Sequence, residues 1–221
     1  MVTVQAAPIR FGEGVYSFPV AAKLLPGAST RQLRYWMKTG LTPPSRPRAD
    51  ATQASSDVLS FHDLVSLEIV RRITTEGVSL QKVRTFEAQL RSLRPEASRP
   101  FALDVFWTDG VDVWIELEPG DRRLVQGTGK DRSQLAWREA IRLFADEVRY
   151  EDGAATVWNP APEVTLDPRV QFGEPVIEGT RVTVQTIVRH LTVASPAEVA
   201  SWYDLREDQV RAAETYAAAR R

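Results

Sequence analysis

Residues 29–41, with the sequence STRQLRYWMKTGL, limit the possible fold of this chain more than any other stretch. Ser29 and Gln32 have the spacing of a capping box, which satisfies free N–H groups at a helix start, and Gly40 is typical of the residue after a helix. The apolar residues between them recur at i, i+3 and i+4, which predicts a short helix with one buried face. The residues of that face are Leu33, Trp36 and Met37.

The opposite face of the predicted helix is polar and cationic. Such a helix fits the major groove of DNA, where its cations meet phosphates and where Arg also pairs with guanine edges. A basic helix face that only contacts solvent is the alternative from this stretch alone. The residues predicted to contact DNA are Thr30, Arg31, Arg34, Tyr35 and Lys38, while Gln32 is assigned to the cap.

A shorter helix is predicted directly before this one. Ser17 supplies its cap and Pro19 fits its first turn, and a Pro-Gly-Ala break separates it from Ser29. Two helices joined by a short turn, with cations on the second, are the arrangement of a helix-turn-helix. Residues 41–60 are rich in Pro, Ser, Thr and Arg and have little periodicity. They predict a hairpin or wing whose Arg46 and Arg48 contact phosphates.

Charge is distributed unevenly along the 221 residues, although the net charge is only −1. Residues 1–95 contain 13 Lys and Arg against 7 Asp and Glu, a net charge of +6. The net charge is −5 for residues 96–160 and −2 for residues 161–221. This asymmetry favours a nucleic-acid-binding N-terminal half joined to a unit with another role.

Composition excludes several kinds of site. The chain has no Cys, which excludes disulfides and thiolate metal sites, and its two His do not favour a histidine zinc site. No run approaches the ~20 apolar residues of a membrane helix, and the first residues lack an apolar signal-peptide core. We therefore expect a cytoplasmic protein that binds no membrane. Because there is no triad, metal set or complete phosphate loop, we also expect neither catalysis nor a cofactor.

Two further helices are predicted in the N-terminal half. The first begins at Ser60 and ends at Gly77, and its apolar residues step by four. The second begins at Ser79 and ends before Pro95. From Val83 onward its apolar spacing alternates three and four, as in a helix–helix seam. This seam is either core or a dimer contact.

Several short runs in this half match a known family. They are YS at residues 16–17, TRQLRYW at residues 30–36, GL at residues 40–41 and EGVSL at residues 76–80. With this separation, residues 16–95 resemble a MerR-type winged helix-turn-helix, which follows a flexible lead-in of residues 1–15. The resemblance implies DNA binding as a homodimer, with the second helix in the major groove and the wing on the backbone. MerR regulators usually continue into a long coiled coil, which this sequence does not.

Residues 101–158 predict a small acidic α+β module. Two period-two segments flank Asp109-Gly110, which is typical of a β-hairpin, residues 122–126 predict a third strand, and two short strands flank Asp152-Gly153. Ser133 caps a predicted helix that carries Trp137, Ile141, Phe144 and Val148. The module's aromatic residues are interpreted as core or as an oligomer contact, and a ligand pocket is the alternative. They are Phe106, Trp107, Trp114, Trp137 and Trp158.

Pro160 and Pro162 predict a linker, after which residues 164–221 predict a domain of three small helices with a short β element. The second helix has an apolar side of Val199, Trp202 and Tyr203, and the third, about residues 207–219, lacks a good cap at Arg206. The residues expected at turns and caps are Gly173, Gly179, Thr183 and Ser195. The predicted fold class of the whole chain is therefore α+β and mostly helical.

The run PVIEGTRV at residues 175–182, followed by SPAEVA at residues 195–200, resembles the GTR-type antitoxin domain, a domain of unknown function. Joined to a MerR-like head, the chain resembles the VapB-type antitoxins of bacterial VapBC toxin–antitoxin pairs. The resemblance implies a PIN-domain ribonuclease toxin as partner, whose acidic residues hold Mg²⁺, and autorepression through double-stranded operator DNA. Many such antitoxins end in a tail that fills the toxin's active site. Either the folded domain or a tail that residues 218–221 begin therefore neutralises the toxin.

We expect arginines of the C-terminal domain to contact the toxin, because Arg pairs bidentately with carboxylates. Arg181 has an alternative role, which is to tie its turn to Glu178. The three C-terminal helices also have a helix-turn-helix-like layout, although their negative charge argues against DNA. The competing function is a ligand-sensing regulator with an effector pocket in residues 101–158. The candidate toxin-binding residues are Arg181, Arg211, Arg220 and Arg221.

Overall fold

The structure is a computed structural model of the chain, and it describes both ends of the sequence more fully than the centre. The described residues are 14–42, 58–93, 101, 147–151 and 154–220, with the backbone alone for strands at 106–108, 113–116, 124–126 and 141–143. Over these residues the fold is α+β, as predicted, with seven α-helices and three small sheets.

The helices begin where the sequence places cap residues. The side chains of Ser17, Ser29, Ser60, Thr183 and Ser195 each accept a backbone N–H at a helix start, and Ser60 and Ser195 belong to complete capping boxes. These bonds satisfy donors that a helix start leaves unpaired. The helices are α1 (Phe18–Leu24), α2 (Thr30–Lys38), α3 (Phe61–Thr75), α4 (Leu80–Leu93), α5 (Val184–His190), α6 (Pro196–Tyr203) and α7 (Glu207–Ala218).

The strands form one two-stranded and two four-stranded sheets, all with antiparallel neighbours. They are β1 (Tyr16–Ser17), β2 (Val58–Leu59), β3 (Phe106–Thr108), β4 (Val113–Glu116), β5 (Leu124–Gln126), β6 (Ile141–Leu143), β7 (Val148–Glu151), β8 (Ala154–Ala161), β9 (Val164–Leu166) and β10 (Val176–Ile177). β1 pairs with β2, and the larger sheets have the orders β5-β4-β3-β6 and β10-β9-β8-β7. The predicted hairpin around Asp109-Gly110 and the third strand after it are confirmed.

The helices α1 to α4 share one hydrophobic core with the β1–β2 ribbon. Trp36 of α2, Phe61 and Ile69 of α3, and Phe86 of α4 are all buried in it. Ser17 pairs with Val58, so strand β2, which follows the predicted wing, lies beside strand β1 at the start of the head. The part of the wing at residues 43–57 lies outside the described residues.

The predicted helix from Ser133 is wrong over its second half. Ile141–Leu143 is strand β6, which pairs with β3, and Val148 begins strand β7. Residues 131–140 lie outside the described part of the chain. The spacing of a short apolar run does not by itself distinguish a helix from a strand. Residues 141–143 form a strand because they pair with β3, and no local pattern in the sequence reveals that partner.

The predicted linker at Pro160 and Pro162 is also wrong. Pro160 lies inside β8, and the chain turns directly into β9. The pairing of β8 with β9 is irregular between Trp158 and Ala161, where a residue without an N–H is tolerated. As a result Trp158 and Leu166 are buried in the same core as the head.

The three C-terminal helices enclose a second core. Val199 of α6 and Val210 of α7 are fully buried, as predicted. Trp202, which was expected on the apolar side of α6, is instead 55% exposed. The N–H of Arg206 at the start of α7 is satisfied by the side chain of Gln209 at 3.1 Å, so the poor cap residue is compensated three residues later.

Candidate nucleic-acid interface

The helix α2 packs on the head through its apolar face, and a glycine follows its C-terminal end. Leu33, Trp36 and Met37 are buried against the head core, as predicted. Gly40 has a φ of 77°, and the Leu41 N–H donates to the Trp36 carbonyl oxygen at 3.0 Å, which closes the C-terminal end of the helix. The orientation of α2 on the head is therefore determined by side chains that solvent does not reach.

The opposite face of α2 presents the predicted DNA-contacting residues. Arg31, Arg34, Tyr35 and Lys38 are exposed, and Thr30 is half-buried beside them. Residues 29–42 contain no Asp or Glu, so no acidic side chain of this stretch neutralises the three cations. Exposed cations on one helix face are suited to a polyanion such as a DNA backbone.

The guanidinium of Arg34 also contacts the preceding helix. Its central carbon lies 5.1 Å from the ring centroid of Phe18 in α1, a cation–π contact. Phe18 is itself buried. The contact therefore places the Arg34 guanidinium at the junction of the two helices.

One cation beside this face was missed by sequence reasoning. The Arg84 Nη2 atom in α4 donates to the Tyr35 hydroxyl at 3.4 Å and to Thr39 Oγ1 at 3.3 Å. The Thr39 hydroxyl in turn donates to the Tyr35 carbonyl oxygen at 2.8 Å. The only sequence signal was an Arg on the polar side of α4, and nothing local indicated that this side chain reaches the end of α2.

The candidate toxin-binding arginines lie in different environments. Arg181 is exposed and makes no ion pair within the described residues, so the alternative tie to Glu178 is not formed. Arg211 is paired with Glu207 one turn earlier. Arg220 lies over the Tyr216 ring, 3.7 Å from its centroid. Arg221, like the wing residues Arg46 and Arg48, lies outside the described residues.

Two exposed apolar side chains lie near the α5–α6 turn of the C-terminal domain. Val193 is 80% exposed, and Trp202 packs edge-on against His190 with ring centroids 5.5 Å apart. The His190 Nε2 atom lies 3.1 Å from the Tyr203 hydroxyl. Among these side chains the Trp202 ring is of the type that is enriched in the energetically important positions of protein interfaces.

Specific polar contacts join the head to the C-terminal half. Arg72 of α3 donates to both carboxylate oxygens of Glu147 at 2.8 and 2.6 Å and also to the buried Glu68 at 2.9 Å. Burial lowers the pKa of Arg72, but these hydrogen bonds outweigh that effect and raise it above its usual value. The His62 Nε2–H donates to the Ala155 carbonyl oxygen at 2.9 Å.

Tyr16 of β1 and Tyr216 of α7 are two buried tyrosines at this junction. The Tyr16 hydroxyl donates to the Gly173 carbonyl oxygen at 2.9 Å. Burial raises the pKa of Tyr16 well above its usual value, and the neighbouring Tyr216 adds to this shift. Burial likewise raises the pKa of Tyr216 to about 12.

The part of the chain that the structure describes gathers no group of three or more His, Asp or Glu that would hold a metal ion. Within the same residues no helix is long and apolar enough to cross a membrane. The side chains of residues 102–146 are not described, so the predicted effector pocket among the aromatic residues of the central module lies outside these residues, apart from Trp158. The Trp158 ring is buried, as expected for core, and its Nε1–H donates to Glu147 at 3.3 Å.

Comparisons with known proteins match both halves of the chain. Residues 20–90 match the family model of MerR HTH regulatory proteins, and residues 164–217 match a family described as a protein of unknown function, DUF433. Uncharacterized HTH-type transcriptional regulators from Mycobacterium tuberculosis (Rv1830) and Mycobacterium bovis (Mb1861) are each 33% identical over 158 residues. That alignment covers 67% of this chain and 66% of each relative, so the chain spans just under two thirds of their length.

A more distant relative and a solved structure extend the comparison. A Mycobacterium tuberculosis protein provisionally named antitoxin VapB45 is 26% identical over 167 residues, which cover 69% of each chain. The crystal structure of Rv2018 from Mycobacterium tuberculosis has a TM-score of 0.67 at 19% identity and covers 93% of this chain and 100% of that chain. The two chains therefore share a fold.

The capped helix pair, the β1–β2 ribbon and the exposed cationic face of α2 form a helix-turn-helix unit. This unit matches the model of MerR HTH regulatory proteins, and the C-terminal domain that follows matches DUF433.

Proposed function

We propose that this chain is the antitoxin of a toxin–antitoxin pair, which represses its own operon through α2 and neutralises a PIN-domain ribonuclease through its C-terminal domain. The observation that carries this proposal is the joining of a MerR-family head to a DUF433 domain in one chain. A relative provisionally named antitoxin VapB45 is similar over 69% of the chain. In this proposal the protein acts through two binding surfaces, one on each half of the chain.

The DNA-binding half of the proposal is supported by the electrostatics of the head. A helix face with three cations and no carboxylate, on a head with a net charge of +6, attracts phosphates. A homodimer presents two such faces to the two half-sites of a palindromic operator. In this proposal Arg31, Arg34 and Lys38 contact DNA directly, and Arg46 and Arg48 of the wing contact the backbone.

The toxin-binding half is supported by side chains that the C-terminal domain leaves accessible. Of the four candidate arginines, Arg181 is the one that we retain as the primary contact, because it is exposed and forms no ion pair within the described part of the chain. Arg211 is already neutralised by Glu207. We add Trp202, whose exposed ring supplies the apolar contact area that a protein partner requires.

The slope of log affinity against log salt tests the DNA-binding half. We expect Lys38→Ala to lower the slope for duplex DNA by about one, because each phosphate contact releases about one counterion. Arg211→Ala is the matched control, since Arg211 belongs to the C-terminal domain and its charge is compensated. An unchanged slope and affinity for Lys38→Ala would remove Lys38 from the interface.

Co-expression tests the toxin-binding half, with the PIN-type protein encoded by a gene next to this one as the probe. Truncation after residue 160 is unsuitable, because it divides β8 and removes β9 from the shared core. We therefore propose Arg181→Glu in the full chain, which places a carboxylate against the toxin's acidic site. Loss of growth rescue with intact DNA binding would support the proposal. A neighbourhood without a PIN-type gene would argue against it.

A further inference from the structure

We propose that Arg84 and Tyr35 together form a binding site for one DNA phosphate at the junction of α4 and α2. This inference rests on the proposed DNA-binding function and adds a site on a helix outside the helix-turn-helix pair. In this site Arg84 contacts DNA directly, and its hydrogen bond with Tyr35 orients the Tyr35 hydroxyl.

The geometry begins with the two hydroxyl groups that Arg84 contacts. Its Nη2 atom donates to Tyr35 Oη at 3.4 Å and to Thr39 Oγ1 at 3.3 Å, which uses one end of the guanidinium. A guanidinium has five N–H donors in a fixed fork. The donors on its other atoms are therefore still available to a ligand.

The contact determines which way the Tyr35 proton points. A tyrosine hydroxyl is both a donor and an acceptor, and at Tyr35 the acceptor position is used by Arg84. The hydroxyl proton must then point elsewhere, and the Tyr35 side chain is 50% exposed. Arg84 and Tyr35 thus present adjacent donors to an acceptor in solvent, whereas the Thr39 proton is used by backbone carbonyls of α2.

The charge of Arg84 supports an anionic ligand. Within the described residues no carboxylate pairs with Arg84, and the acidic residue of the following turn, Glu87, is paired with Arg91. Arg84 is half-buried at the start of α4, so its backbone is held by the head core and its side chain loses little freedom on binding. A phosphodiester oxygen is the acceptor that this pair of donors fits, because the site lies beside the cations of α2.

The experiment measures duplex binding by fluorescence anisotropy between about 50 and 200 mM salt. The probes are a duplex from directly upstream of the chain's own coding sequence and a scrambled duplex of equal composition. The variants are Arg84→Gln, Arg84→Lys, Tyr35→Phe and the Arg84→Gln/Tyr35→Phe double variant. Arg91→Gln is the matched control, because it removes a cation of the same helix that is already paired.

We expect Arg84→Gln to lower the salt slope by about one and to weaken binding about tenfold. Arg84→Lys should keep the slope but lose part of the affinity, since an ammonium cannot bridge Tyr35 and a phosphate in the same way. Tyr35→Phe should weaken binding at an unchanged slope. The double variant should lose less than the product of the two single effects, because each residue acts partly through the other.

Two results would overturn the inference, and they are distinguishable. If the wild-type chain binds DNA while Arg84→Gln behaves like Arg91→Gln, the Arg84 site is wrong and the proposed function stands. If the wild-type chain binds neither duplex at any salt concentration, the proposed function and this site fail together. The melting temperature of each variant shows whether a lost contact reflects an unfolded head, and Arg84→Lys provides the comparison if Arg84→Gln does not fold.

Discussion

The Tyr16 hydroxyl donates a hydrogen bond to the Gly173 carbonyl oxygen across 157 residues of sequence, at a distance of 2.9 Å. Gly173 has a φ of 84°, and a Cβ atom built on it would lie 2.0 Å from the Tyr16 oxygen. Strand β1 and the turn before β10 therefore pack closely because Tyr16 has a hydroxyl that donates to this turn and Gly173 has no side chain that would collide with it.

We expect Tyr16→Phe to lower the free energy of unfolding by about 1–2 kcal/mol, because the buried Gly173 carbonyl loses its partner. Gly173→Ala should cost more, since it adds both the close contact and the strain of a positive φ. Combined with Tyr16→Phe, the cost of Gly173→Ala should fall, because the oxygen in closest contact is gone. Urea denaturation of the two single variants and the double variant measures this coupling.

Tyr216→Phe is the matched control for these variants. The Tyr216 hydroxyl is buried and makes no hydrogen bond within the described residues. Its removal should be neutral or slightly stabilising, because no partner is left unsatisfied. A loss equal to that of Tyr16→Phe would show that packing of the rings, and not the Tyr16–Gly173 hydrogen bond, stabilises the junction.

Alkaline pH should weaken the fold through the same two tyrosines. The pKa of Tyr216 is raised to about 12 and that of Tyr16 is raised further, while an unfolded tyrosine titrates near 10. Above pH ~10 the unfolded chain therefore binds fewer protons than the folded chain, so the free energy of unfolding falls as pH rises. Urea denaturation at a series of pH values measures the fall, which Tyr16→Phe and Tyr216→Phe should each reduce.

The parts of the fold that sequence predicts are those set by local chemistry. The caps at Ser29 and Ser195 and the turn at Gly40 depend on nearby residues and are confirmed, although at Ser29 the Gln32 side chain does not complete the predicted capping box. The burial of Trp36 follows from periodicity in one helix. Such features need no knowledge of what packs against them.

The features that sequence did not predict depend on distant partners. Ile141–Leu143 is a strand because β3 lies beside it, and Pro160 is in a strand because β9 follows it. Arg84 contacts Tyr35, which lies 49 residues earlier in the chain, through a tertiary contact that no local pattern indicates. The cationic face of α2 was visible in the sequence, but the neighbouring Arg84 was not.

The contacts of Arg72 predict a measurable link between the head and the C-terminal half. We expect Arg72→Met to lower the free energy of unfolding by about 2 kcal/mol, less than for a fully buried pair because Glu147 keeps some solvent contact. Glu68 keeps its hydrogen bonds with Arg71 in that variant, so the loss should come mainly from the Glu147 contacts. Arg211→Met, which breaks an exposed pair, should have little effect. Equal losses for Arg72→Met and Arg211→Met would contradict a special role for the Arg72 contacts.

Trp202 should matter for partner binding far more than for folding. Its ring is more than half exposed and packs edge-on against His190, so Trp202→Ala should change the free energy of unfolding by less than about 1 kcal/mol. The same variant should weaken the complex with the adjacent PIN-type protein at least about tenfold, as expected for an aromatic residue at the centre of an interface. Calorimetric titration measures the affinity, and Val20→Ala, which truncates an exposed apolar residue of the head, is the matched control. A Trp202→Ala chain that is destabilised but binds its partner normally would make Trp202 a packing residue for His190, and the toxin surface would then have to lie around Arg181.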